Sequence, residues 1–292
     1  MRELSHVCQQ QLLQECFFEM TLHDQIFKLE SDDQFEHLAL QVFHYQKENC
    51  DVYASYVDML QRPQPKSIHE IPFLPISFFK SHKVVSGNQT NHTLFKSSGT
   101  AGKRSSHFVH DLAIYERAFK SIYLEQIGDP EDQVILALLP NYIEQGESSL
   151  IYMVDHLIQC TQTPLSGFFL NNQQELIDAY NLAIQQNKHV VIFGVSYALL
   201  DLAELHPDLS KATIIETGGM KGKRREMTKN ELHFKLQQSF NCKTISSEYG
   251  MTELLSQAYS NRDGKFNQPA WMKILIRDIN DPLSYVKEGK TG

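Results

Sequence analysis

Glycines, hydroxyls and cations crowd into one run, Ser97-Ser98-Gly99-Thr100-Ala101-Gly102-Lys103-Arg104-Ser105-Ser106. Glycine lets backbone N–H groups approach anionic oxygens closely, hydroxyls add donors, and Lys103 or Arg104 supplies charge, so the run is a phosphate-loop candidate. It is not a Walker A loop: the position five before Gly102 is Ser97 rather than glycine, and Lys103 is followed by Arg104 rather than Ser or Thr. Taken alone, a Ser/Gly-rich run is more often a flexible polar loop. Two further segments shift that balance. In Tyr249-Gly250-Met251-Thr252-Glu253 a tyrosine ring can stack on a base, and Gly250 admits a phosphate to the backbone. Thr252 can donate to that phosphate, and Glu253 can hold Mg²⁺, a hard cation that prefers carboxylate and phosphate oxygens. The competing reading is a strand running into a helix N-terminus, with Thr252 as cap and Glu253 favoured by the dipole. Gly218-Gly219-Met220 would set bare backbone against a flat ligand such as adenine, although a Gly pair more often makes a tight turn.

Other chemistries find less support. The thirteen histidines show no His-x-x-x-His or Cys/His spacing of a zinc site. No Gly-x-Ser-x-Gly elbow marks a hydrolase. Cys8, Cys16, Cys50, Cys160 and Cys242 are odd in number and form no Cys-x-x-Cys pair, so they read as reduced, packed thiols. Lys221, Lys223, Arg224 and Arg225 form the one basic run, which reads as a solvated turn that could meet a phosphorylated cosubstrate or an acidic carrier protein.

The elements that must position these segments change character near residue 95. The first third is helical: Ser31 and Gln34 form a capping box ahead of Phe35, Leu38, Leu40, Val42 and Phe43, and a second helix covers Asp51–Leu60. Ile71-Pro72-Phe73-Leu74-Pro75-Ile76 is neither regular helix nor central strand, because its prolines remove donors and fix φ, and extended passage over a core is expected. From Val134 onward short apolar runs alternate with helical patterns. The expected strands are Val134–Leu139, Val190–Phe193, Thr213–Ile215, Thr244–Ser246 and Lys273–Arg277; the expected helices are Ser149–Gln159, Gln173–Gln186, Tyr197–Leu205 and Thr228–Ser239. That alternation predicts an α/β fold, a mostly parallel sheet covered by helices, with a helical N-terminal region. The expected organisation is 1–95 helical, 96–270 the nucleotide-binding core, and 271–292 the start of a further β segment. In an open α/β sheet ligands bind beyond the carboxyl ends of the strands, where these glycine and hydroxyl segments fall.

Composition limits the function classes. Lys+Arg 27 against Asp+Glu 35 leaves a net charge of −8, which argues against a nucleic-acid-binding surface. No apolar run approaches the roughly 20 residues of a membrane span; the longest, around Val190–Leu200, contains Gly194 and Ser196. MRELSHVCQQ shows no signal-peptide pattern, and a cytoplasmic location is expected.

In combination, the segments resemble the adenylate-forming superfamily: Ser97–Lys103 its Ser/Thr/Gly-rich phosphate loop, Tyr249–Glu253 its Tyr-Gly-x-Thr-Glu motif, and Gly218-Gly219 its adenine-contacting glycines. The likeness narrows with Ile71-Pro72-Phe73-Leu74-Pro75-Ile76-Ser77-Phe78-Phe79-Lys80 and with Leu139-Pro140-Asn141-Tyr142 followed by Ser148-Ser149-Leu150-Ile151-Tyr152-Met153. With Phe193-Gly194-Val195 and Glu216-Thr217-Gly218-Gly219-Met220-Lys221-Gly222, these resemble the LuxE-like acyl-protein synthetase family over roughly residues 35–292.

The resemblance implies ATP and Mg²⁺ as cofactors. It implies activation of a carboxylic, fatty acid to acyl-AMP, then acyl transfer to a protein thiol, CoA or similar acceptor, with reductase or transferase subunits as possible partners. By position it assigns Ser97, Ser98, Gly99, Thr100, Gly102 and Lys103 to the β- and γ-phosphates, and Gly218, Gly219, Met220 and Tyr249 to the adenine, with Gly250 beside the phosphates. Thr252 would meet the α-phosphate and Glu253 the metal; with Lys103 these are the expected catalytic residues. Tyr142, Ser149, Phe193, Gly194 and Val195 are the expected acyl pocket. Two departures stand out: Lys103-Arg104-Ser105 replaces the usual Pro-Lys continuation, and the ribose-binding aspartate and lysine-bearing lid domain of the superfamily do not occur within these 292 residues. A non-catalytic nucleotide- or acyl-binding module of a reductase complex and a phenylacetate-type acyl-CoA ligase remain the alternatives.

Overall fold

The computed structural model describes residues 22–98, 103–139, 146–220, 222–260, 264–281 and 283–286. They form two compact units, one comprising the described residues up to Asn91 and from Ala270 onward, the other His92–Pro269.

In the first unit, helix α1 spans Asp32–Asn49 and α2 spans Asp51–Met59. Ser31 caps α1 by accepting from the Gln34 backbone N–H, but the Gln34 side chain reaches back to the Glu30 N–H at 2.8 Å rather than to Ser31, so the expected reciprocal box is displaced by one residue. Phe43, Cys50, Tyr53, Val57 and Ile71 make the small core. The proline-rich segment is extended as expected. Its carbonyls, lacking strand partners, take ring hydroxyls instead: Tyr53 donates to the Pro72 carbonyl at 3.1 Å and Tyr56 to Phe73 at 3.4 Å. Lys273–Arg277 is not a strand; among the described residues its one ladder contact is an antiparallel bridge from Arg277 to Tyr285. The partner segment is short and is bent into a turn where Asp281 accepts from the Leu283 N–H and the Ser284 hydroxyl, leaving no room for a ladder.

The second unit opens with strands β1 (Thr93–Lys96) and β2 (Ser106–Val109), paired antiparallel. The Ser97–Ser105 run therefore closes a separate two-stranded hairpin rather than following a strand of the main sheet. Helix α3, Leu112–Gln126, is absent from the sequence expectations although its buried Tyr115, Ala118, Phe119, Ile122 and Tyr123 repeat at three- and four-residue intervals. Then follow β3 (Gln133–Leu138), α4 (Ser149–Cys160), β4 (Gly167–Phe168), α5 (Gln173–Gln185), β5 (His189–Val195), α6 (Ser196–Ala203) and β6 (Ala212–Thr217). Helix α7 (Lys229–Phe240) and strands β7 (Ser246–Tyr249), β8 (Ala258–Ser260) and β9 (Phe266–Asn267) complete the unit. The Thr228–Glu231 capping box at the start of α7 forms in full.

The main sheet has the order β4-β3-β5-β6-β7-β8-β9, parallel from β4 to β7 and antiparallel beyond. The fold is thus mixed α/β with a mostly parallel sheet. Every residue of β3 is buried, as is β5 after His189, which is why both read as continuous apolar runs. The chain steps outward from β3 to β4 and then returns on the other side of β3 through β5, so the strand order reverses there.

Ile192 lies at the centre of this sheet and is fully buried. Ile192→Ala should cost about 2–5 kcal/mol and Ile192→Val about 0.5–1.5 kcal/mol, read from urea denaturation followed by circular dichroism. Equal losses from the two substitutions would contradict a close-packed position.

Candidate functional site

Beyond the carboxyl ends of β6 and β7 lies a cleft of about 940 Å³, entirely within the second unit. Four stretches wall it: Lys96, Ser98 and Arg104 from the hairpin; Gly146–Leu150 leading into α4; Thr217-Gly218; and Glu248–Thr252.

Its floor is built on a buried carboxylate. Glu216, at 0 % exposure, lies opposite Ser247 in the β6–β7 ladder. The Ser247 hydroxyl donates to Oε1 at 2.6 Å, the Ser196 hydroxyl to Oε2 at 3.2 Å, and the Lys229 ammonium, from the first turn of α7, to Oε1. His233 Nε2, one turn further along α7, stands 3.5 Å from the same oxygen. Burial by itself would push the Glu216 carboxyl up, but the bonds from His233, Lys229 and Ser247 outweigh it and hold the group at about 2.

The next residue along each strand repeats the contact in a different charge state. The Thr217 hydroxyl donates to Glu248 Oε2. Burial pushes Glu248 up to about 7, the Thr217 bond and Lys229 oppose the rise, and the Glu216 charge reinforces it. Two carboxyls on neighbouring strands thus divide the roles: Glu216 is ionised and saturated with donors, and Glu248 holds its proton below about pH 7.

Glycines fit the floor closely at two points. Gly218 has φ +68°, a left-handed conformation that an L side chain resists, and its carbonyl shares the single Ser196 hydroxyl proton with Glu216. A Cβ at Gly250 would fall 2.3 Å from Glu248 Oε1, so a side chain there requires the Glu248 carboxyl to shift from its bond with Thr217. Tyr249, 43 % exposed, turns the other way along the strand and meets Phe266 edge-on with centroids 6.1 Å apart.

The hairpin and the Tyr249–Glu253 segment are tied together. His107 on β2 donates through Nδ1 to the Thr252 carbonyl at 2.9 Å. Burial lowers His107 below the ordinary histidine value despite that carbonyl and the nearby Glu253 charge, so the ring is a neutral donor at pH 7. At the mouth of the loop, the Ser97 side chain accepts from the Ser105 N–H at 2.9 Å, and Lys96 pairs with Glu147 at 2.6 Å.

The sequence-assigned residues divide accordingly. Ser98, Ser149, Gly218, Tyr249, Gly250 and Thr252 meet on the cleft. Glu253 is half-buried beside them, next to Thr252 and close to His107. Gly99, Thr100, Gly102 and Tyr142 lie outside the described residues. Lys103 is exposed and does not border the cleft; Arg104 does, with its guanidinium folded back onto the Ser97 and Lys96 carbonyls. Ser97 shapes the loop through its side chain. Met220 is buried, and a Cβ at Gly219 would meet open space, so neither position is held by the cleft floor. Phe193, Gly194 and Val195 are buried within β5 and do not border the cleft. Phe193 stacks on Tyr123, and Gly194 is glycine because a Cβ there would meet Leu199 Cγ at 2.6 Å. Tyr115, Lys229, Glu248 and Gln257 border the cleft although no motif marks them. The available signal is two glutamates, Glu216 and Glu248, each directly flanking a glycine-containing segment.

Among the described residues no three or more His, Cys, Asp or Glu side chains converge as a metal cage, and no helix is long and apolar enough to cross a membrane. Cys50 and Cys242 are buried free thiols and Cys160 is partly buried. No family model and no curated protein matches the sequence. Among solved structures it is similar to a mutant form of coronafacic acid ligase from Pectobacterium brasiliense, at 16% identity and a TM-score of 0.31, covering 44% of this chain and 24% of that one.

The Glu248 proton gives a stability test. Between its ordinary 4.5 and about 7 the folded chain retains a proton that the unfolded chain has lost, so stability from this residue falls as pH rises through that window. Glu248→Gln has no proton to lose. Its melting temperature relative to the parent should climb from pH 5 to pH 8, and a constant difference across that range would refute the buried proton.

Proposed function

We propose that this chain activates a carboxylic acid with ATP and Mg²⁺, forming acyl-AMP and then passing the acyl group to a protein thiol or similar acceptor. The observation that carries the reading is the meeting, on one cleft, of the hairpin loop, Thr217-Gly218 and Tyr249–Thr252, segments far apart in sequence. Each contributes what a nucleotide needs. Tyr249 offers an exposed ring for stacking on a base, and Gly218 brings backbone without a side chain to the same cleft. Ser98 and Thr252 bring hydroxyl donors and Arg104 brings a cation to the same space.

The first step joins two anions. A carboxylate oxygen bonds to the α-phosphorus, the bond from that phosphorus to the bridging oxygen breaks, and pyrophosphate departs with the electron pair. The protein's contribution is positioning and charge neutralisation. From the hairpin the cations Arg104 and Lys96 border the cleft, Lys96 paired with Glu147, and Lys229, though engaged with Glu216, is half exposed at the floor. Thr252 is held in place through its own carbonyl by His107. In the second step a thiolate adds to the acyl carbonyl and AMP leaves. Mg²⁺ typically binds one or two carboxylates plus phosphate oxygens, and the single carboxylate Glu253 beside Thr252 fits that pattern; the ion would neutralise phosphate charge.

The test is exchange of labelled pyrophosphate into ATP across a panel of carboxylic acids. Acid-dependent exchange is expected, and Glu253→Gln should reduce it by roughly 10-fold or more, at least the loss that follows when even a residue supporting a metal ligand is removed, with an unchanged circular dichroism spectrum. Absence of exchange with every acid class would overturn the reading.

A further inference from the structure

Among the described residues three cations border the cleft, and each is already engaged, at a very different cost of release. The Arg104 guanidinium lies on the Ser97 and Lys96 carbonyls, which would lose that donor if it turned away. Lys229 neutralises Glu216, whose carboxylate is fully buried, so its departure would leave an uncompensated interior charge. Lys96 is different. Its ammonium meets Glu147 Oε1 at 2.6 Å, and both side chains are within reach of water, at 32 % and 47 % exposure. A carboxylate exposed to that extent is rehydrated when its partner leaves, and an ion pair of this kind shifts an equilibrium by about five-fold at most.

Freeing the Lys96 ammonium needs no movement of the chain. The Lys96 N–H donates to the Glu147 carbonyl at 2.7 Å, which fastens the hairpin to the stretch leading into α4 independently of the two side chains. Lys96 is the last residue of β1, and its flexible four-carbon stem can swing the ammonium while that backbone bond stays closed. Glu147 borders the cleft as well, so a phosphate arriving there meets a carboxylate already bound to a cation it can use. Two anions then compete for one ammonium, and the one carrying more charge has the stronger claim on it. Residue pattern points to Lys103 as the phosphate cation of the hairpin, but it is Lys96 that borders the cleft.

We propose that Lys96 is a cation the hairpin gives to the nucleotide polyphosphate, and that Glu147 holds it in the free protein and competes with the phosphate for it. On binding, Lys96 exchanges a carboxylate for a phosphate and Glu147 turns to water. Glu147 thereby sets the nucleotide affinity below what the cleft could reach. This rests on the nucleotide-binding reading above and adds to it a phosphate-contacting residue and an internal competitor that no motif marks.

The experiment is calorimetric titration of the whole chain with ATP in the presence of Mg²⁺, and with adenosine as the probe that lacks phosphate, for the parent, Lys96→Gln and Glu147→Gln. Lys96→Gln should weaken ATP binding roughly ten-fold, the loss expected for one hydrogen bond to a charged group, and leave adenosine unchanged. Glu147→Gln should tighten ATP binding roughly two- to five-fold, more at low salt than at high, again with adenosine unchanged. A gain in affinity cannot come from a variant that fails to fold, so the Glu147 arm holds whatever the stability of the Lys96 variant. If ATP binds the parent and Glu147→Gln binds it no more tightly, or Lys96→Gln binds it equally well, this inference falls and the nucleotide reading stands. If ATP binds none of the three proteins, both fall.

Discussion

Everything around the cleft depends on accommodating one fully buried carboxylate. An isolated charge at the Glu216 position would be untenable in a protein interior. It is stable there because donors from three other elements converge on it: Ser196 from α6, Ser247 from β7, and Lys229 and His233 from α7. The same contacts fix the spacing of β6 against β7 and seat the first turns of α6 and α7 over the sheet. Removing one partner of such a cluster exposes the rest to the desolvation cost, so it behaves as a unit.

Glu248 uses the opposite solution one residue along. With Glu216 already ionised close by, a second charge in the same low-dielectric region is disfavoured, and the proton stays on. The floor of the cleft is consequently polar but nearly neutral, with the cations Lys96, Arg104 and Lys229 at the border. That distribution suits a ligand whose charge lies at one end. It also explains how a chain of net charge −8 could receive an anion without a basic surface.

The centre of the sheet is readable in the sequence and its functional edge is not, for one reason. Strands β3 and β5 are buried on both faces, so Val134–Leu138 and Val190–Val195 are apolar runs that match their strand positions closely. Strand β7 is Ser-Ser-Glu-Tyr and carries no such run. Residue pattern places it at Thr244–Ser246, and it forms at Ser246–Tyr249, where Ser247 and Glu248 are buried by specific hydrogen bonds that composition does not reveal. Glu216 belongs to β6 for the same reason, although a strand ending at Ile215 is the natural reading of the apolar run. Glycines mislead in a similar way. Those at 194 and 250 are required by contacts with Leu199 and Glu248, and spacing cannot distinguish that from room left for a ligand. The motif segments themselves are visible, because Tyr249, Gly250 and Thr252 do reach one cleft with Gly218 and Ser98.

The contact between Gly250 and Glu248 has an evolutionary consequence. The Glu248 oxygen occupies the volume in which any side chain at 250 would begin, so the two positions are coupled. A side chain at 250 requires the Glu248 carboxyl to swing away or to be shortened, and either change breaks the bond that receives the Thr217 hydroxyl. A homologue with a side chain at 250 should therefore carry a smaller or differently turned residue at 248 and lack the bond to the residue at 217.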